Sequence, residues 1–247
     1  MKAYTSNNIR NIAVLGHGGK GKTTLCEAML YIAGASDRLG RVADGNTVLD
    51  FDSEEKRRKS SVSSAIAALE WDNTKLNIID APGLFDFEGG AAEAVRAAEA
   101  VLIVTSAGSG VDVGTEKAFR AAEKKGAAKF FAITKTDSDH RNFYKTFDAL
   151  KEVYGNKLCP TIIPYMEGNI TKCYVNLMTG MAFSYDENGK ATKVPVPEDS
   201  VIEEMTSAFM EAVATTDDAL MEKFFEGEKF TKEEILKGLC IGIFDGS

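Results

Sequence analysis

Apolar positions in this chain follow two alternating periods. Strand-length runs at Ile9 to Leu15, Ala100 to Val104 and Lys129 to Ile133 are separated by stretches with apolar residues at helical spacing. Those stretches run from Lys22 to about Ile32, from Glu88 to about Glu99 and from Gly114 to about Gly126. Runs so short and so continuously apolar fit strands buried on both faces. Their alternation with helices predicts parallel strands joined by right-handed crossovers. Residues 67–71 and 75–80 add a hairpin around Asp72-Asn73-Thr74. Arg141 to about Tyr154 reads as a helix whose stripe of Phe143, Phe147, Leu150 and Val153 belongs to a core.

The pattern then changes. Thr161 to Tyr165, Thr171 to Leu177 and Met181 to Tyr185 alternate as strands do, with a turn at Glu187-Asn188-Gly189-Lys190. Val194-Pro195-Val196-Pro197 reads as an extended connector. Helices follow near Ser200 to Val213, Asp218 to Phe225 and Thr231 to about Leu239, the last opened by a capping box, Thr231-Lys232-Glu233-Glu234. Val201, Met205, Phe209 and Ala212/Val213 mark one buried face. The fold class is therefore α/β, a mostly parallel sheet flanked by helices, followed by a small α+β unit. Gly34 to Ser64 shows weak periodicity, and a loop of that length in a compact domain is usually functional or disordered. Its mixed charge run, Glu54 to Ser61, fits either a solvated loop or a switch segment whose hydroxyl closes over a metal and a phosphate.

The chemistry sits where the first strand meets the first helix. Gly16-His17-Gly18-Gly19-Lys20-Gly21-Lys22-Thr23-Thr24 is a G-x-x-x-x-G-K-T phosphate loop in its strand–loop–helix context. Glycines let successive backbone N–H groups converge on phosphate oxygens, and the helix N-terminus adds a positive dipole end. Lys22 would bridge the outer phosphates and the Thr23 hydroxyl would sit on Mg2+. A second signal is Asp80-Ala81-Pro82-Gly83 at a strand's carboxyl end, with Asp80 placed for the metal and Gly83 free to donate its N–H to the terminal phosphate. A third is Thr134-Lys135-Thr136-Asp137. The Asp137 carboxylate can accept from guanine N1–H and the exocyclic amine, a pairing adenine does not offer, while Lys135 lies along the base plane. These P-loop nucleotide-binding motifs imply GTP or GDP with Mg2+.

Composition narrows the setting. A net charge of −8 argues against binding nucleic acid through bulk electrostatics. The four cysteines, Cys26, Cys159, Cys173 and Cys240, are scattered without metal spacing, which fits a reducing compartment. No apolar run approaches the length of a membrane span, and the first residues lack a signal peptide's apolar core. The expectation is a soluble, cytoplasmic monomer with no membrane partner.

Beyond these motifs the chain resembles the N-terminal GTPase region of elongation factor G and its paralogues among ribosomal translocation factors. The resemblance is carried by Gly34 to Val42, Asp44-Gly45-Asn46-Thr47, Asp50-Phe51-Asp52, Asp80 to Phe87, Gly110 to Lys117 and Ala214 to Leu220. It implies a P-loop GTPase domain over residues 1–155 and the family's inserted α+β subdomain over 156–240. Residues 241–247 would begin the return to the GTPase domain, in a chain cut from a longer factor. It further implies that the loop around Ser61 is the first switch, and that the partner is the large ribosomal subunit's GTPase-activating region. The chain departs from the family in four places. Leu84 stands where the family has a histidine that positions the attacking water, and neither His17 nor His140 replaces it. Ser61 takes the place of the switch threonine, Thr134 that of an asparagine, and Gly19 and Lys20 those of an Asp and a small residue. Lys22 and Gly83, with Leu84 at the histidine's position, are thus the residues bearing on catalysis. Two other readings stand beside a GTP-hydrolysing switch. One is a sensor of GTP and GDP with little hydrolysis. The other is a partition-type ATPase, whose loop Lys-Gly-Gly-x-Gly-Lys-Thr-Thr resembles residues 17–24.

Overall fold

The computed structural model describes residues 2–137, 142–168, 170–186 and 189–245, which fall into two compact units, Met1–Lys135 and Thr136–Ser247. His140 and the centre of the expected turn, Glu187-Asn188, lie outside the described residues, as do Gly246 and Ser247.

In the first unit, β1 (Ile9–Leu15), β4 (Ala100–Ser106) and β5 (Ala128–Thr134) are the apolar runs read from the sequence, and β2 (Ala65–Trp71) with β3 (Thr74–Asp80) is the hairpin. They form one sheet in the order β2-β3-β1-β4-β5, parallel except for the edge strand β2. The hairpin turns on Asp72 and Asn73, both at positive φ (45° and 58°), the geometry whose twist matches a two-residue connection. Helix α1 (Lys22–Ile32) packs on β2 and β3, burying Cys26 and Leu30 against Val14, Leu49, Leu69 and Ile78.

The long segment 34–64 is more ordered than its weak periodicity predicts. It contains helix α2 (Ser53–Arg58), started by a capping box in which Glu54 N donates to Asp52 (2.7 Å) and Asp52 N to Glu55 (3.3 Å). The Asp-x-x-Glu spacing, Asp52 to Glu55, stands at the head of the charge run, but the run lacks the apolar stripe that identifies a helix. Buried carboxylates supply the missing order. Glu27 on α1, fully buried, accepts from Val48 N (2.7 Å) and Leu49 N (3.2 Å), and Glu55 accepts from Val62 N (3.0 Å) and Ser63 N (3.2 Å).

Helix α3 (Glu88–Ala97) packs on β1 and on α4 (Val113–Lys125), and α4 in turn covers β4 and β5.

The second unit holds α5 (Phe143–Tyr154) and an antiparallel meander of β6 (Ile162–Glu167), β7 (Ile170–Asn176), β8 (Met181–Tyr185) and β9 (Ala191–Val194). Its helices are α6 (Ser200–Ala214), α7 (Asp218–Glu226) and α8 (Lys232–Asp245). Strand β9, not expected from the sequence, ends at Val194 where the expected connector begins, and its register, Phe183↔Lys193, is set by a sheet edge that local sequence cannot report. On α5, Phe147 and Leu150 are buried, but Val153 is 53% exposed because the helix ends there at Gly155. On α6 the buried face is Ile202, Met205, Phe209 and Val213, with Val201 on the outer side. The capping box of α8 forms as read: Thr231 N donates to Glu234 (2.8 Å), and Glu234 N to the Thr231 hydroxyl (3.2 Å).

Phe209, on α6, is fully buried, and α6 packs on α7 and α8. Phe209→Ala is expected to cost about 3–5 kcal/mol through lost burial and the residual cavity, measured as a lower denaturant midpoint for the second unit.

Candidate nucleotide-binding site

The phosphate loop connects β1 to α1. Gly21, just before α1, sits at φ +89°, a left-handed conformation that glycine adopts without steric cost. Lys22 follows in the first turn and is buried, its Nζ donating to Gly16 O (3.0 Å) and His17 O (3.1 Å). Burial lowers the Lys22 pKa, opposed chiefly by the Asp80 carboxylate nearby.

Parallel pairing of β1 with β3 places Val14 opposite Asp80. Asp80 Oδ2 accepts from the Thr23 hydroxyl at 2.6 Å, and that hydroxyl lies 3.2 Å from the Ser61 hydroxyl, which itself donates to Asp50 Oδ1 (2.7 Å). Thr23, Ser61 and Asp80 therefore come together, and Asp50, not assigned from the sequence, joins them. Its only sequence signal was its place in a family-like stretch. Desolvation pushes the Asp80 carboxyl up to about 7, against the pull of the Thr23 hydrogen bond and Lys22. Desolvation raises Asp50 as well. One oxygen on each carboxylate, Asp80 Oδ1 and Asp50 Oδ2, is buried with no hydrogen-bond partner. Leaving such groups unmatched costs about 1–3 kcal/mol each, so the pair is suited to an added cation. Among the described residues no group of three or more His, Cys, Asp or Glu forms a metal cage. A cation here would rest on hydroxyls, one or two carboxylates, water and ligand oxygens, the donor set Mg2+ favours.

After β3, Ala81 and Pro82 are buried, and Gly83 meets the loop so closely that a Cβ would fall 2.7 Å from Gly16 O and 2.8 Å from Gly18 N and would collide with Lys22 Nζ. Leu84 follows and is 39% exposed. Gly19 and Thr24 are exposed, whereas His17 and Gly18 are half-buried. His17 stacks edge-on with Phe85 at 5.5 Å, and its Nδ1 is buried without a partner.

Lys20 points away from Lys22. Its Nζ lies 2.7 Å from the Ser109 hydroxyl and 3.1 Å from Asp112 Oδ2, and Asp112 also caps α4 by accepting from Thr115 N (2.9 Å). Although burial opposes ionisation, the Thr115 and Lys20 hydrogen bonds hold the Asp112 pKa below its usual value. Asp112 was not assigned from the sequence, though Asp-x-x-Thr ahead of a helix is a cap signature.

The third motif reaches the same loop in part. The Thr134 hydroxyl lies within donating distance of Lys20 O (2.7 Å) and Thr105 O (3.0 Å). Lys135 takes a left-handed φ of 57° and donates to Gly19 O at 2.6 Å. Asp137 belongs to the second compact unit and is exposed. Its role rests on the motif.

A mostly parallel sheet with this glycine loop, a hydroxyl–carboxylate pair behind it and a Thr-Lys-x-Asp strand end defines a P-loop GTPase fold. Residues 7–236 match the elongation factor Tu GTP binding domain, and the chain belongs to that family. It is 33% identical over 242 residues to an elongation factor G-like protein of Mycobacterium tuberculosis, found in two strains, across 97% of this chain and 33% of that protein. A crystal structure from Thermus thermophilus matches with a TM-score of 0.88 and 35% identity, over 96% of this chain and 36% of the other. The chain thus spans about a third of the length of these relatives. It is a GTP-binding domain of the translational GTPase kind. No helix among the described residues is long and apolar enough to cross a membrane.

Asp112→Ala removes both the helix cap and the Lys20 counter-charge and is expected to cost about 1–3 kcal/mol, read as a lower melting temperature. Asp112→Asn keeps a capping oxygen, and the difference between the two variants measures the cap apart from the ion pair.

Proposed function

We propose that this domain is the GTP-driven switch of an elongation factor G-like protein that works on the ribosome in the cytoplasm. The observation that carries the reading is the chain Asp80–Thr23–Ser61–Asp50, a set of oxygens at hydrogen-bond distance behind the phosphate loop.

In this reading the loop's backbone N–H groups and the α1 N-terminus bind the phosphates, and Lys22 places its ammonium on the outer two. Thr23, Ser61 and Asp80 hold Mg2+ with Asp50 behind Ser61. The cation neutralises charge on the phosphate oxygens when bound. Its binding favours the ionised form of Asp80, which burial alone disfavours. Gly83 donates its N–H to the terminal phosphate. Thr134 fixes the loop from β5, Lys135 flanks the base and Asp137 selects guanine. Residues 156–240 are the subdomain that interrupts the GTPase fold; the last helix, expected to end near Leu239, continues as α8 through Asp245.

The reaction is hydrolysis of GTP to GDP and phosphate, with low intrinsic activity because Leu84 carries no group that orients water. The large-subunit GTPase-activating region would engage the full-length protein, as a monomer, and accelerate it. Leu84 also favours a second reading, a GTP/GDP-sensing module with little hydrolysis.

GDP is expected to displace a fluorescent guanine nucleotide at concentrations at least a hundredfold below ADP. The reverse order would turn the assignment toward a partition-type ATPase. Lys22→Ala should weaken GDP binding more than a hundredfold, and EDTA should weaken it in the wild type but far less in Asp80→Asn. Single-turnover hydrolysis by the full-length protein, with and without ribosomes, separates switch from sensor. A ribosome-dependent rise supports the switch. A wild-type rate that ribosomes leave unchanged, with stimulation appearing in Leu84→His, identifies the sensor.

A further inference from the structure

Glu27 lies on α1 one helical turn after Thr23, on the same face, and is fully buried. Its Oε1 accepts from Val48 N (2.7 Å) and Leu49 N (3.2 Å), and its Oε2 is buried with no hydrogen-bond partner. Burying a carboxylate is costly unless it is matched, so its place in the core calls for a reason beyond packing. The space around it is tight. A Cβ added to Gly40 would collide with Glu27 Oε2 and stand 2.8 Å from Thr47 Cα, so glycine there leaves room for the carboxylate.

The residues that Glu27 holds lead straight to the hydroxyl–carboxylate set behind the phosphate loop. Leu49, 2% exposed, packs with Cys26 and Leu30 of the same helix. Asp50 follows, its N donating to the Thr47 hydroxyl (3.2 Å). Its Oδ1 accepts from Ser61 (2.7 Å), whose hydroxyl lies 3.2 Å from that of Thr23. The contacts close a ring: along one turn of α1 from Thr23 to Glu27, across to residues 48 and 49, then through Asp50 and Ser61 back to Thr23. Asp50 is thus held between Glu27 on one side and Ser61 on the other. The Glu27 charge also adds to the negative field at Asp80, which an added cation relieves.

We propose that Glu27 is the positioning residue for the cation. By clamping residues 48 and 49 onto α1 it sets the place of Asp50 and Ser61, and so the Mg2+ affinity of the triphosphate-bound domain. Glu27 acts through those residues and is not itself a ligand. The proposal rests on the GTPase reading and deepens it, placing a determinant of cation affinity outside the oxygens that hold the cation.

The test is a Mg2+ titration of binding to a fluorescent, non-hydrolysable GTP analogue, for wild type, Glu27→Gln and Gly40→Ala, with circular dichroism confirming that each folds. Glu27→Gln keeps the side chain's length and removes its charge. Gly40→Ala leaves Glu27 in the sequence and pushes its carboxylate aside; Gly40 has no left-handed φ, so alanine is conformationally allowed. Both variants are expected to raise the half-effective Mg2+ concentration at least fivefold, toward the roughly tenfold that losing an outer partner costs a metal site. Binding in EDTA should stay within twofold of wild type. A smaller Mg2+ shift in a folded variant, or equal weakening with and without Mg2+ as a mere fold support would give, overturns the proposal. Amide hydrogen exchange in the wild type needs no variant. Adding Mg2+ to the analogue complex is expected to slow exchange at Val48 and Leu49 at least fivefold, and a smaller change overturns the proposal. A wild type that does not bind the analogue, or binds it without need of Mg2+, overturns the GTPase reading of the site and the clamp with it. A wild type whose binding strengthens with Mg2+, with Glu27→Gln titrating identically, overturns the clamp alone.

Discussion

The parallel register of β1 against β3 governs the geometry of the site. With Val14 opposite Asp80, and Ala81 N donating to Val14 O at 3.2 Å, the strand end delivers Asp80 to Thr23 and then Gly83 into the curve of the loop. Side chains alternate faces along a strand, so a slip of one residue would turn Asp80 away from Thr23 and set a Cβ-bearing residue against Lys22. Both sides of this pairing are locked by burial, with Val14 and Ile78 fully inaccessible.

Around that fixed pair the protein uses buried carboxylates where another fold would use apolar packing. Glu27 and Glu55 each accept two or more backbone N–H groups from segment 34–64, satisfying donors that the segment's irregular path leaves without a ladder. Asp50 and Ser61 then bring the segment onto Thr23. The segment is therefore tied to the helix that carries the phosphate loop, so a change at the loop has a direct mechanical route into residues 48–63. Lys20 and Asp112 make a comparable tie from the loop to the start of α4.

Several features were legible because they are local. The strands of the first unit, the Asp72-Asn73 turn, the capping box at Thr231 and the glycine loop each follow from residues within one turn or strand of one another. Other features depended on distant neighbours. Strand β9 exists because β8 offers it an edge, and α2 is held by a buried glutamate that looked like part of a solvated charge run. The roles of Val153 and Val201 depended on where a helix ends and on which way it is rotated against its neighbours. Apolar spacing allows two adjacent faces and does not choose between them.

By itself the sequence determined the α/β order of the first unit, the identity of the phosphate loop and the family resemblance, because periodicity and short motifs record local conformation. Only the tertiary structure decided that Asp50 joins Thr23, Ser61 and Asp80, that Lys20 turns to Asp112, and that Leu84 rests on Gly18. Those contacts join residues 11 to 92 positions apart in sequence. The physical reason is that desolvation and steric fit act between surfaces brought together by the sheet, and no short window of sequence contains both sides of such a contact.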